Sequence, residues 1–334
     1  MKAEAIVAVD AKKVEVRQIE IGEMTPWDIK VELETSGISV GTESYVLSVH
    51  KAGGRGYIPG YAPIGRVVEV GTSAASTFKV GERVSYFAPN PPVDVGQGCG
   101  GHQSPALICV DPQKKDLLAS NTYCVKVPEG LSSEHSAFGG ISAVSCMGAS
   151  MPQARVGDKA LVIGQGLIGQ FAAQHLKLRG VEVAVADLHE KRLALSRQSG
   201  ADHVINSSKQ DMVKATRALW SEGADIIVDT TGSYDVIEAS ADAIRFKGKY
   251  VLLGWCKGTG LKVERFHGRV FEVYLPWTLE GRRALSSWRL MDAGLLRIDH
   301  LITHRFSYRD AQKAYDLIYR APEEYVGILL DWRK

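Results

Sequence analysis

The chain of 334 residues is long enough for about two domains of ordinary size. With 45% apolar residues, 23% charged residues and a net charge of +2, it lacks the charge imbalance of a nucleic-acid-binding or membrane-surface protein. It has no apolar run of the about 18 residues that a membrane span requires, and its N-terminus lacks a signal peptide's apolar centre. We therefore expect a cytoplasmic globular protein. The 5 cysteines, without a C-x-x-C pair, favour free thiols over disulfides.

The chain up to about residue 125 is rich in short runs that are typical of β-strands. Glycine and proline separate these runs, which are AIVAVD, DIKVELETSG, GRVVEVG and ERVSYFAP. The segment GTSAASTFKVGERV predicts a surface hairpin or a loop that leads into a strand. The stretch APNPPVDVGQGCGGHQSP predicts a long loop, and loops of that length are often functional or disordered. This part of the chain is therefore predicted to be mostly β.

The pattern changes near residue 132, where SSEHSAFGGISAVSCMGAS predicts a helix. Beyond it, apolar strands without polar alternation are separated by helices, which indicates a parallel sheet covered on both faces. The predicted order is strand DKALVIG, helix LIGQFAAQHLKLRG, strand VEVAVADL, helix EKRLALSRQSG, strand ADHVINSS, helix QDMVKATRALWSEG, strand ADIIVDTTG, helix SYDVIEASADAIRF and strand GKYVLLGW. A tail of mixed character closes with the strand YVGILLDW.

A G-x-G-x-x-G motif at Gly164, Gly166 and Gly169 follows a predicted strand and opens a predicted helix. In a dinucleotide-binding loop, the first glycine permits the tight turn and the second lets the backbone approach the pyrophosphate. The third lets the helix pack closely on the strand. The helix begins at Leu167 and Ile168, and its N-terminus offers unpaired amides to the phosphates. The alternative is a doubly wound fold that binds no cofactor.

An acidic residue, Asp187, closes the next predicted strand. A carboxylate at this place accepts hydrogen bonds from both hydroxyls of an adenosine ribose and repels a 2′-phosphate, so the sequence favours NAD over NADP. Arg192 and Lys191 follow closely and offset part of that preference. Arg192 is a candidate contact of the cofactor, and a solvated helix face is the alternative for both cations.

Further candidates lie after later strands, because ligands of open parallel sheets lie at the carboxyl ends of the strands. Thr230 and Thr231, together with Asp229, follow ADIIVDTTG, and Gly254 and Trp255 end KYVLLGW. We expect the first group beside the cofactor and the second at the border of the nicotinamide or substrate. Core or interface packing is the alternative for the tryptophan.

Segments along nearly the whole chain resemble the medium-chain dehydrogenase/reductase superfamily: SGISVGTES, GYAPIGRVVEVG, FKVGERV, the glycine motif and LITHRFSYRDAQKAYDLI. SGISVGTES, LITHR and the closing ILLDW are similar to its bacteriochlorophyllide dehydrogenase-like branch. The resemblance implies an α/β protein with a mostly-β GroES-like catalytic domain at 1–140 and 276–334, and a doubly wound Rossmann domain at 141–275. It also implies a homodimer and a small-molecule substrate, with Trp277 at the subunit interface and a pocket wall.

The chain departs from this resemblance at the positions of the catalytic zinc. Zinc-dependent members place a cysteine where this chain has Ser39, and a histidine and a glutamate where it has Tyr61 and Ala62. Their third ligand falls near Gly139. None of these residues belongs to the cysteine, histidine and carboxylate set that a catalytic zinc requires. We therefore expect no catalytic zinc.

The chain departs from the resemblance at two further places. A structural zinc needs four closely spaced cysteines, whereas the matching loop holds only Cys99 and Cys109, with His102 between them. We expect an ordinary loop there and no metal at either zinc position. A metal site formed by Cys99, His102 and Cys109 is the alternative. Zinc members also carry a basic residue that meets the pyrophosphate near the C-terminal strand. The matching position is Gly327, so the helix N-terminus or another cation must hold the pyrophosphate.

Without a metal, side chains must remove or supply the proton. Thr42 is expected to orient the substrate oxygen, and Glu43 is a base or, alternatively, pairs with a basic residue and fixes the loop. Tyr61 donates to a carbonyl oxygen or is packed with a satisfied hydroxyl. Ser39 binds the substrate or only the backbone. His102 is a candidate general base, and a surface histidine is the alternative.

The same predicted loop also carries Tyr45 and His50, in reach of the ribose or of bulk water. Together these patterns predict a zinc-independent, NAD-dependent dehydrogenase of secondary alcohols, with a polyol, a sugar or a larger hydroxy compound as substrate. One alternative is an NAD(P)H-dependent enone or quinone reductase, which Asp187 disfavours because such relatives commonly prefer NADPH. Another is a cofactor-binding protein without turnover.

Overall fold

The computed structural model describes residues 1–49, 54–114, 123–256, 260–268, 271–276 and 280–333. The chain divides into two compact units. The first unit comprises Met1–Ala143, Thr278–Gly294 and Ile302–Lys334, and the second comprises Val144–Trp277 and Leu295–Leu301. The segment Leu295–Leu301, which the sequence assigned to the first domain, therefore belongs to the second unit.

The first unit is built on two sheets. A small antiparallel sheet has the order β2-β1-β6, formed by β1 (Lys2–Asp10), β2 (Lys13–Glu20) and β6 (Gln103–Ser104). The larger sheet consists of β3 (Asp28–Gly37), β4 (Ala62–Val70), β5 (Arg83–Tyr86), β7 (Ala106–Cys109), β8 (Cys124–Lys126), β15 (Ile302–Ser307) and β16 (Gly327–Asp331). Its order is β15-β16-β3-β4-β5-β8, and β7 also pairs with β3. The pairing of β16 with β3 sets the C-terminal strand beside residues 35–37.

Helices surround these sheets. Those of the first unit are α1 (Val40–Val49), α2 (Ser133–Ala137), α8 (Gly281–Asp292) and α9 (Ala311–Arg320), while α3 (Gly139–Ser150) crosses the boundary between the units. The single helix predicted from residue 132 onwards is wrong, because α2 ends at Ala137, with Phe138 as its C-cap, and α3 begins at Gly139. In α9 the buried residues Ala311, Ala314, Tyr315 and Ile318 recur at helical spacing, which turns Tyr315 into the core.

The second unit contains a parallel sheet in which one helix follows each of its first four strands in chain order. Its strands are β9 (Lys159–Ile163), β10 (Glu182–Asp187), β11 (His203–Asn206), β12 (Ala224–Asp229), β13 (Ile244–Leu252) and β14 (Glu272–Tyr274), and its helices are α4 (Leu167–Lys177), α5 (Glu190–Gln198), α6 (Met212–Leu219) and α7 (Tyr234–Ser240). The order β11-β10-β9-β12-β13-β14 is the doubly wound arrangement, whose direction reverses between β9 and β12. The predicted fold class is confirmed.

The sheet of the second unit is buried on both faces. Along β9, Ala160 and Val162 belong to one apolar core, and Leu161 and Ile163 belong to the other. This explains why the strand shows no polar alternation. The helix predicted over SYDVIEASADAIRF ends early, because a 3₁₀ turn follows at Ala241–Ala243 and Ile244 already begins β13.

Two predictions from composition can be compared with the structure. All five cysteines are free thiols, as expected from their number and spacing. Within the described ranges, no helix combines the length and apolar character that crossing a bilayer requires.

Candidate active site and cofactor-binding site

The glycine loop after β9 has the geometry that each glycine was predicted to supply. Gly164 adopts φ +85°, and a Cβ there would lie 2.6 Å from Thr230 Oγ1. A Cβ on Gly169 would lie 1.8 Å from the carbonyl oxygen of Gly164, so only glycine permits this approach of α4 to the loop. Gly166 is the N-cap of α4, and a Cβ there would contact nothing within 4 Å. The open space at Gly166 leaves room for a ligand against the backbone.

The first turn of α4 carries the predicted anion-binding amides. The first hydrogen bond within the helix runs from the backbone N–H of Gln170 to the carbonyl of Gly166 at 3.0 Å. Amides earlier in a helix have no intrahelical partner, which applies here to Leu167, Ile168 and Gly169. These N–H groups and the partial positive charge of the helix end can bind a phosphate.

The carboxylate of Asp187 is held at the end of β10, beside the glycine loop. Its Oδ2 accepts a hydrogen bond from the backbone N–H of Gln165 at 2.6 Å, and its Oδ1 accepts one from the backbone N–H of His189 at 2.8 Å. The Nη1 atom of Arg192 lies 3.9 Å from Oδ2. Lys191 is exposed. The structure thus brings Arg192 beside the acidic residue.

The loops after β12 and β13 are packed tightly against the glycine loop. The Thr230 hydroxyl donates to the carbonyls of Ile163 and Gly164, with both distances 2.9 Å. A Cβ on Gly254 would lie 2.4 Å from the Gly232 amide nitrogen. The hydroxyl of Thr230 therefore fixes the shape of the glycine loop.

The remaining candidates on this edge differ in their exposure. Asp229 is fully buried, and burial raises its pKa against the lowering effect of hydrogen bonds from Thr231 and Gly232. Trp255 is 38% exposed at the end of β13. Trp277 lies outside the described residues.

In the first unit, Ser39 and Tyr61 form a buried pair of hydroxyls. Ser39 Oγ lies 2.5 Å from Tyr61 OH, and both residues are 6% exposed. The half-buried side chain of Thr42 lies near the phenol of Tyr61. Burial raises the pKa of Tyr61 to about 12, and the charge of Glu43 acts in the same direction. The phenol is therefore a neutral hydrogen-bond donor near neutral pH.

The carboxylate of Glu43 lies behind this pair. Its Oε1 accepts a hydrogen bond from the Ser39 amide at 2.7 Å. Its Oε2 lies 3.1 Å from His102 Nε2 and accepts a hydrogen bond from the Tyr315 hydroxyl at 2.5 Å. Glu43 is only 4% exposed. It is a buried carboxylate with a partner on each oxygen.

His102 is fully buried, so the alternative of a surface histidine is wrong. Its Nδ1 lies 2.9 Å from Ser36 Oγ, which accepts a hydrogen bond from Trp332 Nε1 at 2.9 Å. A neutral imidazole that carries its proton on Nε2 satisfies these contacts, because the Ser36 hydroxyl then donates to Nδ1 and Nε2 donates to Glu43.

The burial of His102 results from backbone pairing of its loop. The Gly100 amide donates to the Ile58 carbonyl at 3.0 Å, and the Gly101 amide donates to the Gly60 carbonyl at 2.9 Å. These bonds fasten the glycine-rich loop to the segment that precedes Tyr61. The loop was predicted correctly, but its attachment to residues 58–60 has no local sequence signal.

One other expectation in this region needs correction. Thr42, Glu43 and Tyr45 lie in α1 and not in a loop. His50 lies outside the described residues, so its expected role stays a prediction. Sequence reasoning also missed Ser36, Tyr315 and Trp332. The helical spacing of AQKAYDLI predicts that Tyr315 faces inwards, but no pattern indicates that it contacts Glu43.

The candidate metal ligands do not form a cluster. In the part of the chain that the structure describes, no three histidine, cysteine, aspartate or glutamate side chains are grouped so that they could hold a metal ion. Cys109 lies in β7, and His102 is occupied by Ser36 and Glu43.

Comparisons with known proteins place these features in context. A family model described as "Zinc-binding dehydrogenase" matches residues 168–289. Ser39 and Tyr61 lie outside this matched range. The uncharacterized zinc-type alcohol dehydrogenase-like protein YdjJ of Escherichia coli K12 is 28% identical over 268 residues, covering 73% of this chain and 76% of its own. Sorbitol dehydrogenase 1 of Saccharomyces cerevisiae is 24% identical over 331 residues, covering 87% of each.

Solved structures share the fold along almost the whole chain. A putative zinc-binding dehydrogenase of Sinorhizobium meliloti 1021 bound to NADP has a TM-score of 0.82 and 21% identity, covering 99% of both chains. The alcohol dehydrogenase rspB of Escherichia coli CFT073, complexed with NADH, has a TM-score of 0.82 and 20% identity, also covering 99% of both chains.

Proposed function

Because the chain belongs to the medium-chain dehydrogenase/reductase superfamily, we propose that it is a zinc-independent, NAD-dependent dehydrogenase of secondary alcohols. The relatives support an alcohol- or polyol-dehydrogenase-like oxidoreductase with a nicotinamide cofactor. The observation that carries the finer proposal is the short hydrogen bond between Ser39 and Tyr61, which supplies a hydroxyl pair at the positions of the expected zinc ligands.

The cofactor is held by the second unit. Gly166 and the first amides of α4 bind the pyrophosphate, and Asp187 accepts hydrogen bonds from the adenosine ribose. Its fixed carboxylate favours NAD, whereas the nearby guanidinium of Arg192 reduces the penalty for a 2′-phosphate. When bound, the nicotinamide accepts or donates the hydride. Relatives with NADP and with NADH bound support a nicotinamide cofactor of either kind.

The residues at the positions where zinc-dependent members bind their catalytic zinc do not fit a zinc ion in this chain. Zinc in proteins is bound by cysteine, histidine and carboxylate groups. Here the matching side chains are the hydroxyls of Ser39 and Tyr61, which bond to one another, and the methyl group of Ala62. No step is therefore assigned to a metal, in contrast to the description of the family model.

The hydroxyl pair handles the proton of the substrate oxygen. In the reduction of a ketone, Ser39 or Tyr61 donates a hydrogen bond to the carbonyl oxygen and delivers its proton, and a proton from solvent replaces it through Thr42. In the oxidation of an alcohol, the hydroxyl takes up the substrate's proton while it passes its own proton through Thr42 to solvent. In this proposal the half-buried Thr42, which lies near the phenol, connects the pair with solvent. Glu43 and His102 are fully enclosed and do not contact substrate in this proposal.

A substrate screen on metal-free protein tests this function. After dialysis against a chelator and metal analysis, NADH binding is measured by fluorescence, and secondary alcohols, polyols and sugars are screened for NADH formation. We expect turnover of at least one such alcohol by metal-free protein. Turnover that requires stoichiometric zinc would contradict the proposal. Reduction of enones or quinones alone would favour a reductase, and binding without any turnover would favour a non-catalytic role.

We also propose that the protein acts as a cytoplasmic homodimer. The strand β14 ends the order of the parallel sheet in the described residues, and Val273 and Leu275 beside this edge are 49% and 66% exposed. An open edge with apolar side chains favours pairing with another strand. Light scattering of the purified protein tests the dimer, and a monomer at micromolar concentration would contradict it. The bacteriochlorophyllide dehydrogenase-like branch stays a prediction.

A further inference from the structure

Contacts from separate parts of the first unit converge on the carboxylate of Glu43. The Ser39 amide binds Oε1, and the imidazole of His102 and the hydroxyl of Tyr315 both lie at Oε2. These groups come from the start of α1, from the glycine-rich loop and from α9. A carboxylate that is 4% exposed and has a hydrogen-bond partner on each oxygen is closed to a substrate atom. It is, however, placed to connect the three segments.

The same contacts connect the two hydroxyls of the proposed active site. Ser39 is linked to Glu43 through its own amide, at 2.7 Å. Tyr61 directly follows Gly60, and the Gly60 carbonyl accepts a hydrogen bond from the Gly101 amide. His102 is the residue directly after Gly101. The hydrogen bond between Glu43 and His102 thus joins the segment that carries Ser39 to the segment that carries Tyr61.

We propose that Glu43, His102 and Tyr315 are positioning residues that hold the hydroxyls of Ser39 and Tyr61 at hydrogen-bonding distance. This inference rests on the proposed function, because it assumes that the two hydroxyls handle the proton. It assigns a role to Tyr315, and it replaces the expectation that Glu43 or His102 acts as a base.

Tyr315 is suited to this role because it is a permanent donor. It is fully buried, and burial together with the charge of Glu43 raises its pKa well above the ordinary value. Its proton therefore remains in place near neutral pH and satisfies the lone pairs of Oε2. Buried charges are costly unless hydrogen bonds compensate them. Without this donor, we expect the carboxylate of Glu43 to move towards another hydrogen-bond partner. That movement shifts the Ser39 amide, which is bound to the same carboxylate.

His102 contributes a second, directional contact. Ser36 contacts its Nδ1 and accepts a hydrogen bond from Trp332, so that Nε2 faces Glu43. The ring also lies against Gly60, where a Cβ would come within 2.4 Å of Nε2. A displaced imidazole therefore changes the place of the backbone immediately before Tyr61.

The variants Tyr315→Phe and His102→Ala test the proposal in the full-length protein. Active sites are counted by titration with NADH, so that kcat refers to folded enzyme only. We expect kcat to fall about 10- to 100-fold, because small displacements of reacting groups have effects of this size. The dissociation constants for NADH and NAD should remain unchanged, because the proposed cofactor contacts lie in the second unit.

Two further variants separate positioning from simple loss of packing. Tyr86→Phe is the matched control, because Tyr86 is also fully buried in the first unit and its hydroxyl has no hydrogen-bond partner among the described residues. It should keep the kcat of the parent protein. His102→Gln retains an N–H donor for Glu43 and should recover most of the kcat lost in His102→Ala.

Each outcome supports or overturns the inference. If Tyr315→Phe keeps the parent kcat per folded site, or if His102→Gln is no better than His102→Ala, the positioning role is wrong. If Tyr315→Phe does not fold, the comparison of the two His102 variants decides. The proposed function fails separately, when Ser39→Ala and Tyr61→Phe both retain full turnover.

Discussion

The imidazole ring of His102 lies directly against the α-carbon of Gly60. A Cβ at Gly60 would lie 2.4 Å from Nε2 and 2.5 Å from Cδ2 of His102. The backbone of Gly60 has a φ of +84°, which is itself unfavourable for residues other than glycine. Gly60→Ala should therefore destabilise the protein by about 2–4 kcal/mol through overpacking and backbone strain. Urea unfolding measures this loss. Gly81→Ala is the control, because Gly81 has a φ of +91° and an added Cβ would meet no atom within 4 Å. It introduces backbone strain without overpacking and should lower the free energy of unfolding by about 1–2 kcal/mol.

The glycines of the cofactor loop should respond differently to the same substitution. Gly169→Ala places a Cβ 1.8 Å from the Gly164 carbonyl, so we expect a loss of both stability and NADH binding. Gly166→Ala meets no protein atom within 4 Å, so stability should change by less than about 1 kcal/mol. Its NADH affinity should nevertheless fall at least about tenfold, because the methyl group occupies the approach to the pyrophosphate. Thermal unfolding and NADH fluorescence separate the two effects. Unchanged affinity in Gly166→Ala would mean that the pyrophosphate binds elsewhere.

Asp187 should determine the choice between the two nicotinamide cofactors. Asp187→Ser removes the carboxylate that repels a 2′-phosphate and leaves the guanidinium of Arg192 nearby. We expect NAD affinity to fall by about 1–3 kcal/mol, because hydrogen bonds to the ribose are lost, and NADP affinity to rise. Titration with both cofactors measures the ratio. The double variant that also carries Arg192→Ala is the control and should lose the gain in NADP affinity. Equal effects on both cofactors would exclude a ribose contact.

Tyr61 should be needed for turnover but not for cofactor binding. Tyr61→Phe removes one hydroxyl of the pair and keeps the ring, so we expect kcat to fall about 100-fold or more with an unchanged Kd for NADH. Steady-state kinetics with the alcohol found in the screen measures the effect. Tyr123→Phe is a suitable control, since Tyr123 is also fully buried and its hydroxyl donates to the backbone carbonyl of Tyr61 at 3.4 Å rather than to the phenol. A similar loss in both variants would point to general packing.

Glu34 should make the stability of the first unit depend on pH. Burial alone raises the pKa of Glu34, but the Ser133 hydroxyl, Arg66 and Arg83 outweigh it, and the net pKa lies below 4.5. The folded-state pKa is depressed, so the stabilisation is present above pH 4.5 and is lost as the pH falls through the folded-state value. Glu34→Gln should cost about 1–3 kcal/mol at neutral pH and little in acid.

Urea unfolding at two pH values tests the prediction for Glu34. The control is Glu69→Gln, because Glu69 is 57% exposed and lies 3.4 Å from Lys30, an arrangement typical of weak surface pairs. A cost for Glu34→Gln that does not change with pH would show that its charge is not the cause.

The second unit was largely predictable because its signals are local. Apolar strands, glycine stops and the motif from Gly164 to Gly169 occur within one or two elements of each other, so that the order of elements follows from the sequence directly. The errors occur where two elements adjoin. Ile244 carries no signal that separates the end of a helix from the start of β13, because an apolar residue suits both.

The candidate active site was predictable only in part, because its contacts are long-range. The resemblance indicated Ser39, Thr42, Glu43, Tyr61 and His102, and the structure places these five residues in one region of the first unit. It did not indicate Tyr315, which lies 272 residues from Glu43 along the chain. A hydrogen bond across such a separation depends on the packing of α9 and leaves no periodic pattern.

These separations have a consequence for synthesis on the ribosome. Glu43 is translated 272 residues before Tyr315, and Ser36 is translated 296 residues before Trp332, a delay on the order of tens of seconds. Residues 144–277 emerge in that interval and can assemble with neighbours already made. The early segments of the first unit must instead wait with a carboxylate, Glu43, that lacks its donor from Tyr315. A nascent chain that stalls before residue 315 therefore carries an unfinished core that quality control can recognise.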